Sequence, residues 1–191
     1  MHRVTIRRAK PGADDEEMVA TLWNEAAKWL AEKGSDQWQY PVRMNAIRYK
    51  IEEGTCWLVI SSTGGVVGTV TLDENADPQL WTPADVPNDA LYVHRLVVSR
   101  QTAVPSLGAA VLDWCAGCSE NQGKQWLRLD AWTSNVGLHD YYRRRGFEMV
   151  RIVHGEGIVS GALFQRPAMY REGISGIVVT GRSRAEARRT I

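Results

Sequence analysis

The segment from residue 90 to residue 132 most constrains the fold, because it places one helix between two apolar strands. Ala90–Val98 (ALYVHRLVV) is an apolar run typical of a buried strand, and Gln125–Trp132 (QWLRLDAW) is a second strand. Between them lies a helix whose apolar face is formed by Leu107, Val111, Trp114, Cys115 and Cys118. A strand, a helix and a further strand in this order form a crossover between parallel strands. The segment therefore predicts an α/β fold.

The rest of the chain adds further strands and helices around this unit. In chain order we predict a strand at 3–8, helices at 13–33 and 42–53, strands at 55–61 and 66–73, a helix at 136–145, and strands at 147–153 and 162–165. The intervening residues 74–89 form a long irregular loop. This order predicts a mixed central sheet with helices on both faces. We assign residues 1–170 to a single domain and residues 171–191 to an arginine-rich C-terminal tail that we expect to be mobile.

Composition narrows the classes of protein to which the chain can belong. The chain has 191 residues, of which 44% are hydrophobic and 24% charged, which excludes a wholly disordered or fibrous protein. A formal net charge of +1 argues against binding to nucleic acid or to a membrane surface. The 3 cysteines do not form a disulfide framework, and the N-terminal residues lack the apolar core of a signal peptide. We therefore expect a cytoplasmic protein that is a monomer or a homodimer.

One motif carries a resemblance to a known family. The run Asn135–Phe147 (NVGLHDYYRRRGF), which follows the strand–helix–strand unit, resembles the GCN5-related N-acetyltransferase (GNAT) family over about residues 3–166. The resemblance implies a GNAT-like mixed sheet and transfer of an acetyl group from acetyl-CoA to a primary amine. It also implies that Tyr142, four residues before Gly146, lies beside the sulfur of the coenzyme. A phenol, whose pKa is near 10, suits the task of giving a proton to the departing thiolate.

The resemblance further implies where the coenzyme binds. The backbone of Leu96, Val97 and Val98 would hold the pantetheine arm. The loop and helix start at Ser106, Gly108 and Ala109, together with Asn135, would hold the rest of the coenzyme. In this register only Gly108 fits the family pattern well. Ala103 replaces a Gln or Arg, Ser106 replaces a Gly, and Pro105 has no N–H to offer. The sequence thus predicts a degenerate pyrophosphate-binding loop.

His94 is the candidate base. Alternation along the strand predicts that Tyr92, His94, Leu96 and Val98 share one face. The resemblance implies that His94 takes the proton of the amine and that Tyr92 lies in the substrate site. An imidazole can accept a proton at neutral pH. A histidine that is simply hydrogen-bonded within the sheet is an equally good interpretation.

Three weaker signals complete the candidate site. Trp38 lies in the loop between the first two helices, where the resemblance implies the acceptor site, although a packing role fits equally well. Asp130, in LRLDAW, is expected to pair with an arginine. Cys115 and Cys118 have no accompanying histidine or cysteine cluster, so we predict no metal.

The expected activity is therefore that of an acyltransferase which acetylates a small-molecule or peptide amine. Two alternatives stay open. One is a binding or sensor protein that keeps the fold and has lost the use of CoA. The other is a transferase that uses a different activated donor, such as an aminoacyl-tRNA.

Overall fold

The computed structural model describes residues 1–12 and 14–181, which form one eight-stranded sheet and four α-helices. The strands are β1 (His2–Arg8), β2 (Cys56–Ser61), β3 (Val66–Asp73), β4 (Ala90–Val98), β5 (Trp126–Ala131), β6 (Glu148–Ile152), β7 (Ala162–Pro167) and β8 (Ile177–Thr180). The helices are α1 (Asp15–Glu32), α2 (Met44–Glu52), α3 (Leu107–Asn121) and α4 (Val136–Arg144). None of these helices is both long and apolar enough to cross a membrane.

The sheet is mixed, and its strand order is β6-β7-β5-β4-β3-β2-β1-β8. Strands β4 and β5 are parallel neighbours joined by α3, as the strand–helix–strand order predicts. Strand β8 pairs in parallel with β1, and the other neighbouring strands are antiparallel. The predicted α/β fold with a mixed central sheet is confirmed.

Helices cover both faces of the sheet. On one face, α3 and α4 pack against the sheet in a cluster that includes Val59, Val93 and Val111. On the other face, α1 and α2 pack in a cluster that includes Ile47 and Leu58. Leu58 and Val59 are neighbours on β2 and belong to different clusters, because successive side chains of a strand point to opposite faces.

Helix α1 begins where an acidic turn meets the first strand. Its first turn carries Asp15, Glu16 and Glu17, and negative charge is favourable at a helix N-terminus. The guanidinium of Arg7 donates two hydrogen bonds to Asp15, at 2.7 and 2.9 Å, and the backbone N–H of Lys10 donates a third at 2.8 Å. The Arg7 hydrogen bonds are the main reason that the pKa of Asp15 lies below its usual value. This contact anchors α1 to β1.

The long loop 74–89 is ordered by packing on the sheet. It contains two short 3₁₀ turns, Pro83–Asp85 and Pro87–Asp89. Trp81 is buried in a cluster with Tyr92 and other sheet residues, and Asp85 forms a 2.6 Å ion pair with Arg151 of β6. The loop therefore covers part of the face on which α1 and α2 lie.

Strand β8 is absent from the elements predicted from the sequence. It lies within residues 171–191, which sequence analysis assigned to a mobile tail. Residues 177–180 instead extend the sheet beyond β1, and Glu172 is fixed before them by backbone hydrogen bonding to Asp113 of α3 at 3.0 Å. The remainder of the assigned tail, residues 182–191, lies outside the described residues.

Candidate active site

The parallel strands β4 and β5 separate partway along their length. Their pairing runs from Ala90–Trp126 to Val93–Leu129, and β4 continues to Val98 beyond the last pair. Beyond Val93, the β5-facing edge of β4 therefore lacks the hydrogen-bonded partner that it has at its start. The predicted coenzyme residues Leu96, Val97 and Val98 lie on this part of β4.

A β-bulge interrupts β4 at the same point. The pairing with β3 steps from Thr69–Val97 to Thr71–His94, so that one residue of β3 stands opposite two residues of β4. Arg95, one of the two, has a φ of 51°, in the left-handed region that non-glycine residues rarely adopt. A bulge of this kind bends the strand and increases its local twist.

The bulge changes which side chains share a face of β4. Leu96 and Val98 pack against the same cluster as Val93, on the face covered by α3 and α4. Tyr92 packs on the opposite face. The sequence prediction that Leu96 and Val98 share a face with Tyr92 and His94 is therefore wrong, because alternation is broken by the extra residue of the bulge.

His94 lies between two carboxylates, one from each neighbouring strand. Its Nε2 is 3.2 Å from Oδ1 of Asp73 on β3, and its Nδ1 is 3.8 Å from Oδ1 of Asp130 on β5. Lys50 of α2 donates a hydrogen bond to the other oxygen of Asp73 at 3.1 Å. The three strands and α2 thus bring four titratable groups together at the point where β4 and β5 separate.

Asp73 is ionised in this setting. Burial would raise its pKa, but the hydrogen bond and charge of His94, the backbone N–H of Asn75 and the charge of Lys50 outweigh burial and lower the pKa to about 2. Sequence analysis missed Asp73. The available signal was a carboxylate as the last residue of an otherwise apolar strand, VVGTVTLD.

Among residues 1–12 and 14–181, Asp130 forms no ion pair with an arginine, contrary to the sequence prediction. Its nearest charged partner among the ion pairs of the described residues is His94. Burial raises the pKa of Asp130, and the neighbouring His94 partly opposes that rise. The carboxylate therefore lies in a desolvated position beside the candidate base.

Tyr142 packs inside the sheet–helix interface, on the face of the sheet that α3 and α4 cover. Its ring centroid lies 5.6 Å from that of Phe147 and 5.7 Å from that of Phe164, and the residue is 8% exposed. Burial raises the pKa of its hydroxyl well above the usual value, and Tyr141 and Asp130 raise it further. The phenol therefore keeps its proton at neutral pH.

Tyr92 is fully buried, so its side chain cannot contact a substrate directly. It is 0% exposed, and its hydroxyl donates a hydrogen bond to the carbonyl of Pro87 at 3.0 Å. Its ring lies 6.5 Å from that of His94 in a stacked orientation. The structure thus gives Tyr92 a supporting position beneath the imidazole, where the resemblance implied a place in the substrate site.

The predicted anion-binding turn lies at the N-terminus of α3. Ala110 donates the first helical hydrogen bond, to the carbonyl of Ser106. The N–H groups of Leu107, Gly108 and Ala109 come before it and have no acceptor within the helix. Ser106 has a φ of 55°, and its side chain makes no capping hydrogen bond. Ser106 therefore adopts a conformation that favours glycine at the position where the family pattern has one.

Asn135 caps α4. Its side-chain oxygen accepts a hydrogen bond from the N–H of Leu138 at 3.0 Å, and its Nδ2 donates to Oε1 of Gln37 at 2.7 Å. The adjacent Asp36 accepts hydrogen bonds from Nε1 of Trp132 at 2.9 Å and from the hydroxyl of Ser134 at 2.7 Å. The α1–α2 loop is thereby tied to the β5–α4 loop. Nothing in the sequence pattern signalled these contacts.

Trp38 belongs to an aromatic group beside the bulge. Its ring centroid lies 5.1 Å from that of Trp23, which also contacts Tyr40 at 6.4 Å and the guanidinium of Arg95 at 5.2 Å. Trp38 itself has a φ of 60°. The loop thus presents partly exposed aromatic surface on the same side of the sheet as His94.

A separate groove of about 440 Å³ lies between α3 and β8. Its lining includes Asp113, Trp114, Arg171 and Ile177. The groove shares no residue with the cluster around His94. It is therefore distinct from the candidate active site.

Comparison with known proteins agrees with this architecture. The sequence profile of the Acetyltransferase (GNAT) family matches residues 19–147. An uncharacterized N-acetyltransferase of Bacillus subtilis (strain 168), YesJ, is 32% identical over 142 residues, which cover 72% of this chain and 78% of YesJ. These matches define a class of acyl-transferring proteins. The chain belongs to the GNAT acetyltransferase family.

Solved structures show the same fold. A GNAT-family acetyltransferase of Listeria monocytogenes superposes with a TM-score of 0.70 at 26% identity, covering 85% of this chain and 93% of that one. The PaiA N-acetyltransferase of Thermoplasma acidophilum, in complex with coenzyme A, superposes with a TM-score of 0.64 at 15% identity, covering 86% of this chain and 98% of its own. The second likeness concerns the fold alone.

Proposed function

We propose that this protein is an N-acetyltransferase that moves an acetyl group from acetyl-CoA to a primary amine of a small molecule or peptide. The observation that carries the proposal is the position of His94 between Asp73 and Asp130 where β4 and β5 separate. Amide formation needs a proton acceptor for the amine and a proton donor for the leaving thiolate. Family membership supplies the second support.

Acetyl-CoA fits the residues of this site. We assign its pantetheine arm to the backbone of Leu96–Val98, beyond the last β4–β5 pair. We assign its pyrophosphate to Ser106, Gly108 and Ala109 at the start of α3, where helix N–H groups and the helix dipole favour an anion. The N–H groups of Leu107, Gly108 and Ala109 support the fit, because they precede the first helical hydrogen bond, from Ala110 to Ser106. Asn135 caps the neighbouring helix.

The loop before α3 is expected to bind the coenzyme less tightly than a glycine-rich loop. Pro105 has no N–H, so one potential donor is missing. Ser106 keeps a left-handed backbone in spite of its side chain, so the chain path that a glycine would permit is preserved. We therefore propose a degenerate but working pyrophosphate loop.

The catalytic roles follow from protonation. When bound, acetyl-CoA supplies an acetyl group activated as a thioester. The imidazole of His94 accepts a proton from the substrate ammonium, directly or through a water, and the lone pair of the resulting amine bonds to the acyl carbon. The nitrogen gives a second proton to water as the amide forms. Tyr142 donates its phenolic proton to the sulfur as the C–S bond breaks, and then recovers a proton from solvent. Overall an ammonium and a thioester give an amide, a thiol and one proton.

The acceptor is expected to lie against the α1–α2 loop. Trp38 and Tyr40 offer partly exposed aromatic surface there. Asp36 and Gln37 hold the loop against the start of α4, so the aromatic surface is fixed in position. A carboxylate beside the base, Asp130, suits a substrate that arrives as an ammonium ion.

Location and assembly rest on sequence reasoning. Three cysteines without a disulfide framework are typical of a reducing compartment. We propose a cytoplasmic enzyme that acts as a monomer or homodimer. Size-exclusion chromatography with light scattering measures the oligomeric state directly.

Calorimetric titration with acetyl-CoA is the first test. We expect binding to the wild-type protein and tighter binding to the Pro105→Gly/Ser106→Gly double variant. Activity is then measured as release of free thiol in the presence of a panel of primary amines. If neither protein binds acetyl-CoA, the proposal fails. Binding without turnover of any amine supports a sensor instead, and strongly salt-dependent binding of tRNA supports a different donor.

A further inference from the structure

We propose that Asp73 is a positioning residue that holds the proton of neutral His94 on Nε2 and so presents Nδ1 as the atom that accepts the proton of the amine. The inference rests on the proposed acetyltransferase function and extends it to a residue of β3 outside the GNAT motif segment. It identifies which nitrogen of His94 accepts the proton and which side chain fixes the tautomer of the ring.

The geometry around Nε2 allows one proton arrangement. Oδ1 of Asp73 lies 3.2 Å from Nε2, and the Asp73 side chain is 3% exposed. An ionised carboxylate has no proton to donate, so Nε2 must be the donor of this hydrogen bond. In a neutral imidazole one nitrogen carries the proton and the other a lone pair. Nδ1 therefore carries the lone pair.

Asp73 is itself held ionised and in place. Lys50 donates a hydrogen bond to its Oδ2 at 3.1 Å, and the N–H of Asn75 donates to its Oδ1 at 2.9 Å. Lys50 is fixed in turn by Glu53, at 2.8 Å. Removing the Asp73 charge would leave Lys50 with Glu53 alone.

Nδ1 faces the separation of the two strands. From β5, Oδ1 of Asp130 lies 3.8 Å away, which exceeds a hydrogen-bond distance. From β4, Tyr92 stacks on the other side of the ring at 6.5 Å. The charged groups that face His94 are thus Asp73 from β3, backed by Lys50 from α2, and Asp130 from β5. Only the side of Nδ1 lacks a direct hydrogen-bond partner among the described side chains.

The primary test is nitrogen NMR of the histidine rings in uniformly ¹⁵N-labelled wild-type protein. The chain has 4 histidines, and the spectrum of His94→Gln identifies the His94 signals. In the neutral state we expect a protonated Nε2 and an unprotonated Nδ1. In Asp73→Asn, whose side-chain NH₂ can donate to Nε2, we expect the proton of the neutral ring to lie on Nδ1 instead. An Nδ1–H tautomer in the wild type, or an Nε2–H tautomer in the variant, overturns the proposal.

Kinetics supply the second test, with Glu120→Gln as the control. Asp73→Asn should lower kcat/KM by about 10²–10⁴-fold, because a ring in the other tautomer has no lone pair facing the amine. Asp73→Glu should restore part of the activity. Glu120→Gln removes a carboxylate that pairs with Arg171 and has no part in the network around His94, so it should keep wild-type kcat/KM.

The two proposals fail in different ways. A wild-type protein that shows the Nε2–H tautomer but acetylates no amine contradicts the proposed function. An active enzyme whose kcat/KM and pH profile are unchanged in Asp73→Asn contradicts the positioning role alone.

Discussion

The hydroxyl of Tyr141 lies 2.7 Å from the position that a Cβ atom would occupy on Gly108. The ring carbon that carries this hydroxyl is 3.7 Å from the same position, which is an ordinary contact. The first turn of α3 and the helix α4 therefore meet at a point where only glycine fits beside a tyrosine. This contact joins the two sequence segments that define the proposed coenzyme site.

Gly108→Ala should lower the free energy of unfolding by about 1–3 kcal/mol, the usual cost of overpacking. In the Tyr141→Phe background the hydroxyl is gone, so the same alanine should cost nothing or gain up to about 1 kcal/mol from its helix propensity. Urea unfolding of the wild type, both single variants and the double variant gives the coupling energy. Additive effects of the two substitutions would contradict the contact.

Tyr142→Phe should lower kcat by about 10²–10⁴-fold, because the proton for the leaving thiolate is lost while the ring remains. Acetyl-CoA affinity should barely change, since the proton is needed only as the C–S bond breaks. Steady-state kinetics and calorimetric titration measure the two quantities. Tyr141→Phe is the matched control and should keep most of its turnover. Full turnover in Tyr142→Phe would remove this residue from the mechanism.

Ser106 has a left-handed backbone conformation, and the size of the group at Cβ determines how much that conformation destabilises the folded protein. Ser106→Val should destabilise the protein by about 1–2 kcal/mol, because a β-branched side chain tolerates positive φ poorly. Ser106→Gly should be neutral or stabilising, since glycine adopts this φ without strain. Thermal unfolding of the three proteins gives the order. A valine variant as stable as the glycine variant would show that residue 106 does not have positive φ in solution.

Asp73 should make stability fall in acid. Its pKa is lowered to about 2 in the folded protein, against about 3.9 for an unfolded chain. Its contribution, about 2–3 kcal/mol, is therefore fully present above about pH 5 and is lost as the pH falls toward 2. The difference in unfolding free energy between wild type and Asp73→Asn should shrink over this range, and denaturant titrations at pH 5, 4 and 3 measure it. A difference that stays constant with pH would contradict the lowered pKa.

Much of the fold follows from local sequence. The apolar run of β4, the helical spacing in α3 and the glycines after helices and in turns specify element type without reference to distant residues. Helix α1 was predicted at 13–33 and is found at Asp15–Glu32. Strand β8 was missed, because a strand of four residues, Ile177–Thr180, carries too short a pattern and is fixed by pairing with β1 at the other end of the chain.

The sequence by itself determined the order of strands β1 to β7 and of the four helices, the parallel crossover at β4–α3–β5, and the family motif that contains Tyr142. These features depend on spacing within short segments. The tertiary structure decided that Asp73 and Asp130 flank His94, because those residues are neighbours only across the sheet. It also decided which side chains of β4 share a face, because the bulge at Arg95 arises from pairing with β3 and leaves no glycine or proline as a local signal.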